Sequence, residues 1–146
     1  MRLSLDPPLD PTAYPFRHAI RVRFAETDAM GVVHHANYPL YLEQTRVEWM
    51  RDLGHTYGRA RDEGFDLAVI ELFVAYRKPL TFDEVVDVHL LLGRMTRMTF
   101  QVGYLLAVEG EPRATAVTVH TCVDTTGRPV RPPTWLREMA AGELVD

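Results

Sequence analysis

The chain has a single cysteine, Cys122, among its 146 residues, so no intrachain disulfide can form and the fold must be held by packing alone. A lone thiol of this kind fits a reducing compartment, and the expected location is the cytoplasm. Excess positive charge is also missing. Sixteen Lys and Arg against 20 Asp and Glu leave a net charge of -4, which argues against a protein that grips nucleic-acid phosphates over a broad surface. No run reaches the ~18 apolar residues that a membrane-spanning helix needs, and the N-terminal MRLSLDPPLDPTAYPF lacks the uninterrupted apolar stretch of a secretory signal. The expectation is a chain that is neither exported nor embedded in a membrane.

What is present is an ordinary globular composition, 47% hydrophobic and 25% charged, in a length suited to one domain. Pro7, Pro8, Pro11 and Pro15 prevent regular helix at the start, so residues 1–16 are read as an extended, mobile lead-in and residues 17–146 as the single domain. From Ala19 to Phe24, AIRVRF alternates, with Ile20, Val22 and Phe24 on one face, the period of a half-buried strand. Asn37 is then expected to cap a helix running from Pro39 to Leu53, because Leu42, Thr45, Trp49 and Leu53 follow at helical spacing and Gly54 can end it. A short helical piece from Tyr57 to Asp62 follows, ended by Gly64.

Beyond it, the runs LAVIELFVAYRKP, EVVDVHLLLGRM, MTFQVGYLLAVEG and PRATAVTVHTCVD are rich in strand-forming residues and have no helical segments between them. They read as an antiparallel meander. The plan is α+β, five antiparallel strands wrapped on one buried helix, with a last short helix in PPTWLREMAAGELVD. Exposed sheet edges invite pairing with a second copy, so a homodimer at least is expected, and a homotetramer is the guess beyond it.

Functional groups are concentrated between the first strand and the helix, where Glu26, Thr27, Asp28, Gly31, His34, His35, Asn37 and Tyr38 fall within thirteen residues. A helix N-terminus offers free N–H groups and partial positive charge, which suits an oxyanion. A carboxylate beside it completes a hydrolytic site.

The stretch RVRFAETDAMGVVHHANYPLYLEQTRVEWMRDLG resembles the signature of hotdog-fold thioesterases of the 4-hydroxybenzoyl-CoA thioesterase and YbgC type. The aspartate of ETDAMG, the GVV, a histidine, the Asn-Tyr pair opening the helix and the Glu43-x-x-Arg46 segment all agree in spacing. The resemblance implies a hotdog fold, an acyl-CoA thioesterase and no metal or other cofactor, the CoA thioester being the substrate. It places the catalytic carboxylate on Asp28, as nucleophile or general base, and a histidine beside the thioester on His35. His34 stands where many members carry tyrosine. Gly31, Val33, His34, Asn37 and Tyr38 would bind substrate, with backbone amides near Asn37 and Tyr38 as the oxyanion site. A partner subunit would supply the strand ending Ala75, Tyr76, Arg77, Lys78, Pro79, and Arg77 and Lys78, with Arg94 and Arg97, would meet CoA phosphates.

Plainer readings stand beside these. Asp28 is also a good turn aspartate, and Glu43, a reserve catalytic carboxylate, is more simply paired with Arg46 at i+3. His34 and His35 with Asp28 and Glu26 are a chemically plausible metal set, opposed by the expectation that adjacent histidines in an extended stretch point to opposite sides. Cys122 is expected to be a buried apolar residue. Two rival functions remain, an acyl-ACP thioesterase and a noncatalytic acyl-CoA-binding module; the short proline-rich N-terminal segment is not the helix-turn-helix output domain that a sensor of that kind usually carries.

Overall fold

The apolar stripe Leu42, Thr45, Trp49, Met50 winds the chain into a long helix, α1 (Tyr38–Asp52), with Pro39 in its first turn, where a missing N–H costs nothing. Leu42 and Met50 are fully buried. Gly54 ends the helix at φ 78°, a left-handed conformation that glycine adopts without strain. Asn37 is not the side-chain cap expected of it: it is already helical in backbone, and its Nδ2 donates to the Glu26 carbonyl at 2.8 Å. A short helix α2 (Tyr57–Asp62) is capped by Thr56, and α3 (Thr134–Glu143) closes the chain. The computed structural model describes residues 5–143.

The strands are β1 (Phe16–Arg21), β2 (Asp66–Tyr76), β3 (Val85–Met95), β4 (Thr99–Val108), β5 (Glu111–Val123) and a two-residue β6 (Pro129–Val130). The main sheet runs β1-β3-β4-β5-β2 with every pairing antiparallel, and β6 adds to β5. Period-two alternation turns Val86, Val88 and Leu90 of β3 and Val102, Tyr104 and Leu106 of β4 inward, into one core with Leu42 and Met50 of α1. Each fully buried side chain of this size contributes about 1.5–3 kcal/mol. α1 packs on β1 and β3, and α3 on β3.

The first strand lies three residues earlier than its alternation suggested. Ile20 and Val22 are buried as expected, but Phe24 is 76% exposed and meets Phe82 edge to face at 5.7 Å. The cause is Glu26, whose carboxylate takes the Arg23 N–H at 2.8 Å and curls Phe24–Glu26 into a 3-10 turn that ends the strand.

A polar thread crosses the core. Arg46 Nη1 donates to the Tyr104 hydroxyl at 3.1 Å, that hydroxyl meets Thr118 Oγ1 at 2.9 Å, and Thr118 Oγ1 meets His120 Nε2 at 2.7 Å. Among the described residues, Arg46 Nε and His120 Nδ1 have no partner. Arg46 is therefore not the surface partner of Glu43: it is buried against β4 while Glu43 is exposed. Cys122 is fully buried, and burial pushes its thiol up to about 12.

The lead-in is neither free nor separate from the domain. Leu5 and Tyr14 anchor it on the sheet face opposite α1, with the Leu5 N–H donating to Gln101 Oε1 at 3.0 Å and the Tyr14 hydroxyl to the Pro8 carbonyl at 2.7 Å.

Candidate active site

Thr27 and Val33 pair across a tight hairpin, closed by Asp28 N–H to Val32 O at 2.8 Å and Gly31 N–H to Asp28 O at 3.0 Å. Gly31 supplies φ 78° at the turn. Asp28 holds its own turn as well, since its Oδ1 accepts the Met30 N–H at 2.8 Å. The hairpin is clamped to α1 through Glu26. The Glu26 carboxylate, 8% exposed, accepts the Tyr41 hydroxyl at 2.8 Å and Arg23 Nε at 3.1 Å, and its carbonyl accepts the His34 N–H at 2.9 Å besides the Asn37 amide. Burial pushes the Glu26 carboxyl up, but the Arg23 amide, the Tyr41 hydroxyl and the Arg23 guanidinium outweigh it and hold the group below its ordinary value.

A cleft of about 280 Å³ opens beside this hairpin, lined by Asp28, Met30, Val33, His35, Tyr38 and Tyr76 and closed by the turn Arg77, Lys78, Pro79. Tyr76 stands edge-on to Tyr38 at 4.8 Å and donates to the His35 carbonyl at 3.2 Å. Burial raises the Tyr38 phenol, so this wall stays uncharged. His35 leads a 3-10 turn into α1 and is exposed, and its N–H has no acceptor among the described residues. The cleft thus brings together a carboxylate, an imidazole, a free amide at a helix entrance and an apolar wall.

The model of the thioesterase-like superfamily matches residues 22–140. The chain belongs to this superfamily. A relative in Aquifex aeolicus (strain VF5) is 40% identical over 119 residues, 82% of this chain and 92% of that one. The 1,4-dihydroxy-2-naphthoyl-CoA hydrolase of Synechococcus elongatus is 28% identical, covering 85% of this chain and 95% of its own. Among solved structures, the DHNA-CoA thioesterase from Staphylococcus aureus superposes with a TM-score of 0.75 at 32% identity, over 79% of this chain and 78% of that one. The arrangement of one long helix on an antiparallel sheet is the hotdog fold.

Within this thioesterase-like domain the expected site residues divide. Asp28, Val33, His35 and Tyr38 line the cleft, together with Arg77 and Lys78. The chain's own strand end, Tyr76, Arg77, Lys78 and Pro79, lines this cleft. Lys78 is tied to Glu111 at 3.0 Å, whereas the Arg77 side chain is exposed and has no polar partner among the described residues. Arg94 and Arg97 are elsewhere: Tyr76 pairs with Ala114 and so with Leu106, while Arg94 and Arg97 flank the β3–β4 hairpin next to Thr99. Seven residues of strand put the two groups about 23 Å apart. The four cations do not converge within one chain.

Two further expectations are corrected. The Asn37 N–H is spent on the His34 carbonyl at 2.9 Å, the Gly31 N–H on the Asp28 carbonyl at 3.0 Å and the Val33 N–H on the Leu80 carbonyl at 2.8 Å, whereas the His35 N–H has no acceptor among the described residues. The histidines do not diverge: their rings stack at 4.1 Å, because the chain turns into the 3-10 helix at His35 instead of staying extended, and His34 Nδ1 accepts the Ala36 N–H at 3.0 Å. Glu26 faces Tyr41 and Arg23 instead of joining them, and Glu43 does not line the cleft. Sequence reasoning named Tyr76 only within the strand end expected from a partner, did not assign Met30 to the wall, and did not see the Glu26–Tyr41 clamp; the fifteen-residue spacing of that pair across a loop is not a signal any periodicity carries.

Proposed function

We propose that this protein is an acyl-CoA thioesterase, converting acyl-CoA and water to a free carboxylic acid and CoA with Asp28 as its catalytic carboxylate. The observation that carries the reading is Asp28 in a cleft at the entrance of α1, beside the free His35 N–H. The names of the relatives support the bond that is cleaved. As general base, Asp28 takes a proton from water while the water oxygen adds to the thioester carbon; as nucleophile, it adds itself and water then cleaves the mixed anhydride. In both, the carbonyl oxygen gains negative charge that the His35 N–H can stabilise by donating a hydrogen bond to it, the C–S bond breaks, and the thiolate leaves with a proton. His35 Nε2 and Nδ1 are the ring positions from which that proton can come. The reaction written this way draws only on water and groups of this chain, in the cytoplasm, where a buried free thiol such as Cys122 stays reduced.

The acyl group enters against Met30, Tyr38 and Tyr76, and Arg77 meets a phosphate of CoA. The enzyme acts as a homodimer, because β2 is an eleven-residue edge strand with Val69, Leu72 and Phe73 exposed, an edge suited to pairing with a second copy. Thiol release from aliphatic and aromatic acyl-CoAs should be readily measured, and Asp28→Asn should lower it about 10²–10⁴-fold without unfolding the protein. Equal rates in both would remove Asp28 from the chemistry. Release from acyl-ACP alone would change the carrier, and tight acyl-CoA binding with no release would make this a binding module.

A further inference from the structure

Which amide can reach a thioester oxygen at the entrance of α1 depends on what its neighbours are bonded to. Of the backbone N–H groups from Val33 to Asn37, four have acceptors. Val33 donates to the Leu80 carbonyl at 2.8 Å, His34 to the Glu26 carbonyl at 2.9 Å, Ala36 to His34 Nδ1 at 3.0 Å and Asn37 to the His34 carbonyl at 2.9 Å. His35 has none among the described residues. Three of those four hydrogen bonds are made by His34, through its N–H, its carbonyl and its ring.

The ring bond is the one that depends on the side chain. His34 precedes the turn in an extended conformation, at φ -61° and ψ 136°; it is half-buried and does not line the cleft. Its Nδ1 stands as many bonds from Cα as the Oδ1 of an asparagine, so the imidazole caps the turn as an asparagine would. A ring nitrogen that accepts carries no proton, so the neutral ring holds its hydrogen on Nε2. The face of the same ring lies on His35, 4.1 Å between centroids and 27° between planes. Without the cap, the 3-10 turn His35–Asn37 would lose one of the bonds that fix it and gain a second unpaired N–H one residue past the first. An oxyanion donor works only when aimed at the place where charge develops, and a displacement of about 1 Å can cost about 10²-fold.

We propose that His34 is a positioning residue: by capping Ala36 it fixes the turn so that the His35 N–H is the one donor the turn presents to the thioester oxygen. The inference rests on the thioesterase reading. Its consequence falls on kcat more than on KM, because the donor is used most when the oxygen has become charged.

Two substitutions separate the cap from the stack. His34→Phe keeps a flat ring over His35 and has no acceptor; His34→Asn restores the acceptor and removes the ring. Each is compared with wild type, well below its melting temperature, by hydrogen exchange of the Ala36 amide and by kcat and KM for thiol release from one acyl-CoA. In His34→Phe the Ala36 amide should exchange about fivefold faster, the worth of a cap, and kcat should fall about tenfold or more with KM within about twofold. His34→Asn should bring both exchange and kcat back to within about threefold of wild type. Where His34→Phe folds too poorly to assay, His34→Ala also lacks the acceptor and replaces it. Faster exchange with kcat unchanged would overturn the positioning role and leave the thioesterase reading standing. So would unchanged exchange in His34→Phe, or a loss of kcat in His34→Asn as large as in His34→Phe, which would assign the effect to the stack. A wild type that releases no thiol would overturn the thioesterase reading and the positioning role together.

Discussion

Replacing His120 by glutamine and following both proteins from about pH 8 to about pH 5 tests how the buried polar thread carries charge. His120 is fully buried on β5, stacked on Phe100 at 5.0 Å, and burial, followed by the nearby Arg46 guanidinium, pushes its imidazole down to about 3 from an ordinary 6.5. The unfolded chain therefore takes up a proton below about pH 6.5 that the folded chain refuses until about pH 3. A group with a lowered folded pKa of this cationic type costs stability as pH falls through that window, by up to 1.36 kcal/mol per unit. One and a half units of acidification amount to about 2 kcal/mol at pH 5, against essentially nothing at pH 8. The facing groups are Arg46 from α1 and Tyr104 and Phe100 from β4, and none of them relieves the charge. Urea unfolding at several pH values measures the difference directly. Glutamine can still meet Thr118 but cannot be protonated, so the stability gap between the two proteins should move by about 2 kcal/mol in favour of the variant on going to pH 5. A gap that stays constant with pH would refute this account of the site. The comparison also cancels His89, another buried imidazole lowered chiefly by burial, which is present in both proteins.

Two other perturbations separate the clamp from the cleft. Glu26→Ala leaves the buried Tyr41 hydroxyl without its acceptor, a loss of about 1–3 kcal/mol in thermal unfolding. At temperatures where that variant is fully folded, thiol release should still fall at least tenfold, because the hairpin carrying Asp28 is held through residue 26; unchanged release would reduce Glu26 to a structural brace. Arg77→Ala should raise KM for acyl-CoA at least about tenfold, the worth of one charge-assisted hydrogen bond, while leaving short acyl thioesters that lack the nucleotide untouched. Lys78→Ala should do less, since Glu111 already holds that ammonium. Equal effects of Arg77→Ala on both substrate types would place the residue away from the phosphates.

The parts legible in the sequence are those set by nearest neighbours along the chain. The Leu42, Thr45, Trp49 spacing located α1, and the four apolar runs located β2 to β5, because periodicity is a local property. The density of functional groups from Glu26 to Tyr38 marked the cleft for the same reason. What was not legible depends on contacts between distant segments. Phe24 continues the alternation of β1, yet a carboxylate two residues on pulls it out of the strand. Arg46 looks like a helix-surface cation until Tyr104, fifty-eight residues away, is placed beside it. The prolines of the lead-in kept α-helix out and left only a 3-10 turn at Pro11–Ala13, but gave no sign of docking, since Leu5 packs against glycines 88 and 98 positions further along.

Asp28 closes its own turn through the Met30 amide, and this explains why the residue is an aspartate. The short side chain is what allows a carboxylate oxygen to reach the amide two residues on; a glutamate, one methylene longer, would swing free over the cleft with its charge intact and its aim lost. The rotamer freedom that a mobile carboxylate would surrender when substrate arrives has already been given up when the hairpin folds. One oxygen is tethered to the Met30 amide, and under the proposed mechanism it is the other that would face the thioester, so the turn reading and the catalytic reading of Asp28 need not compete.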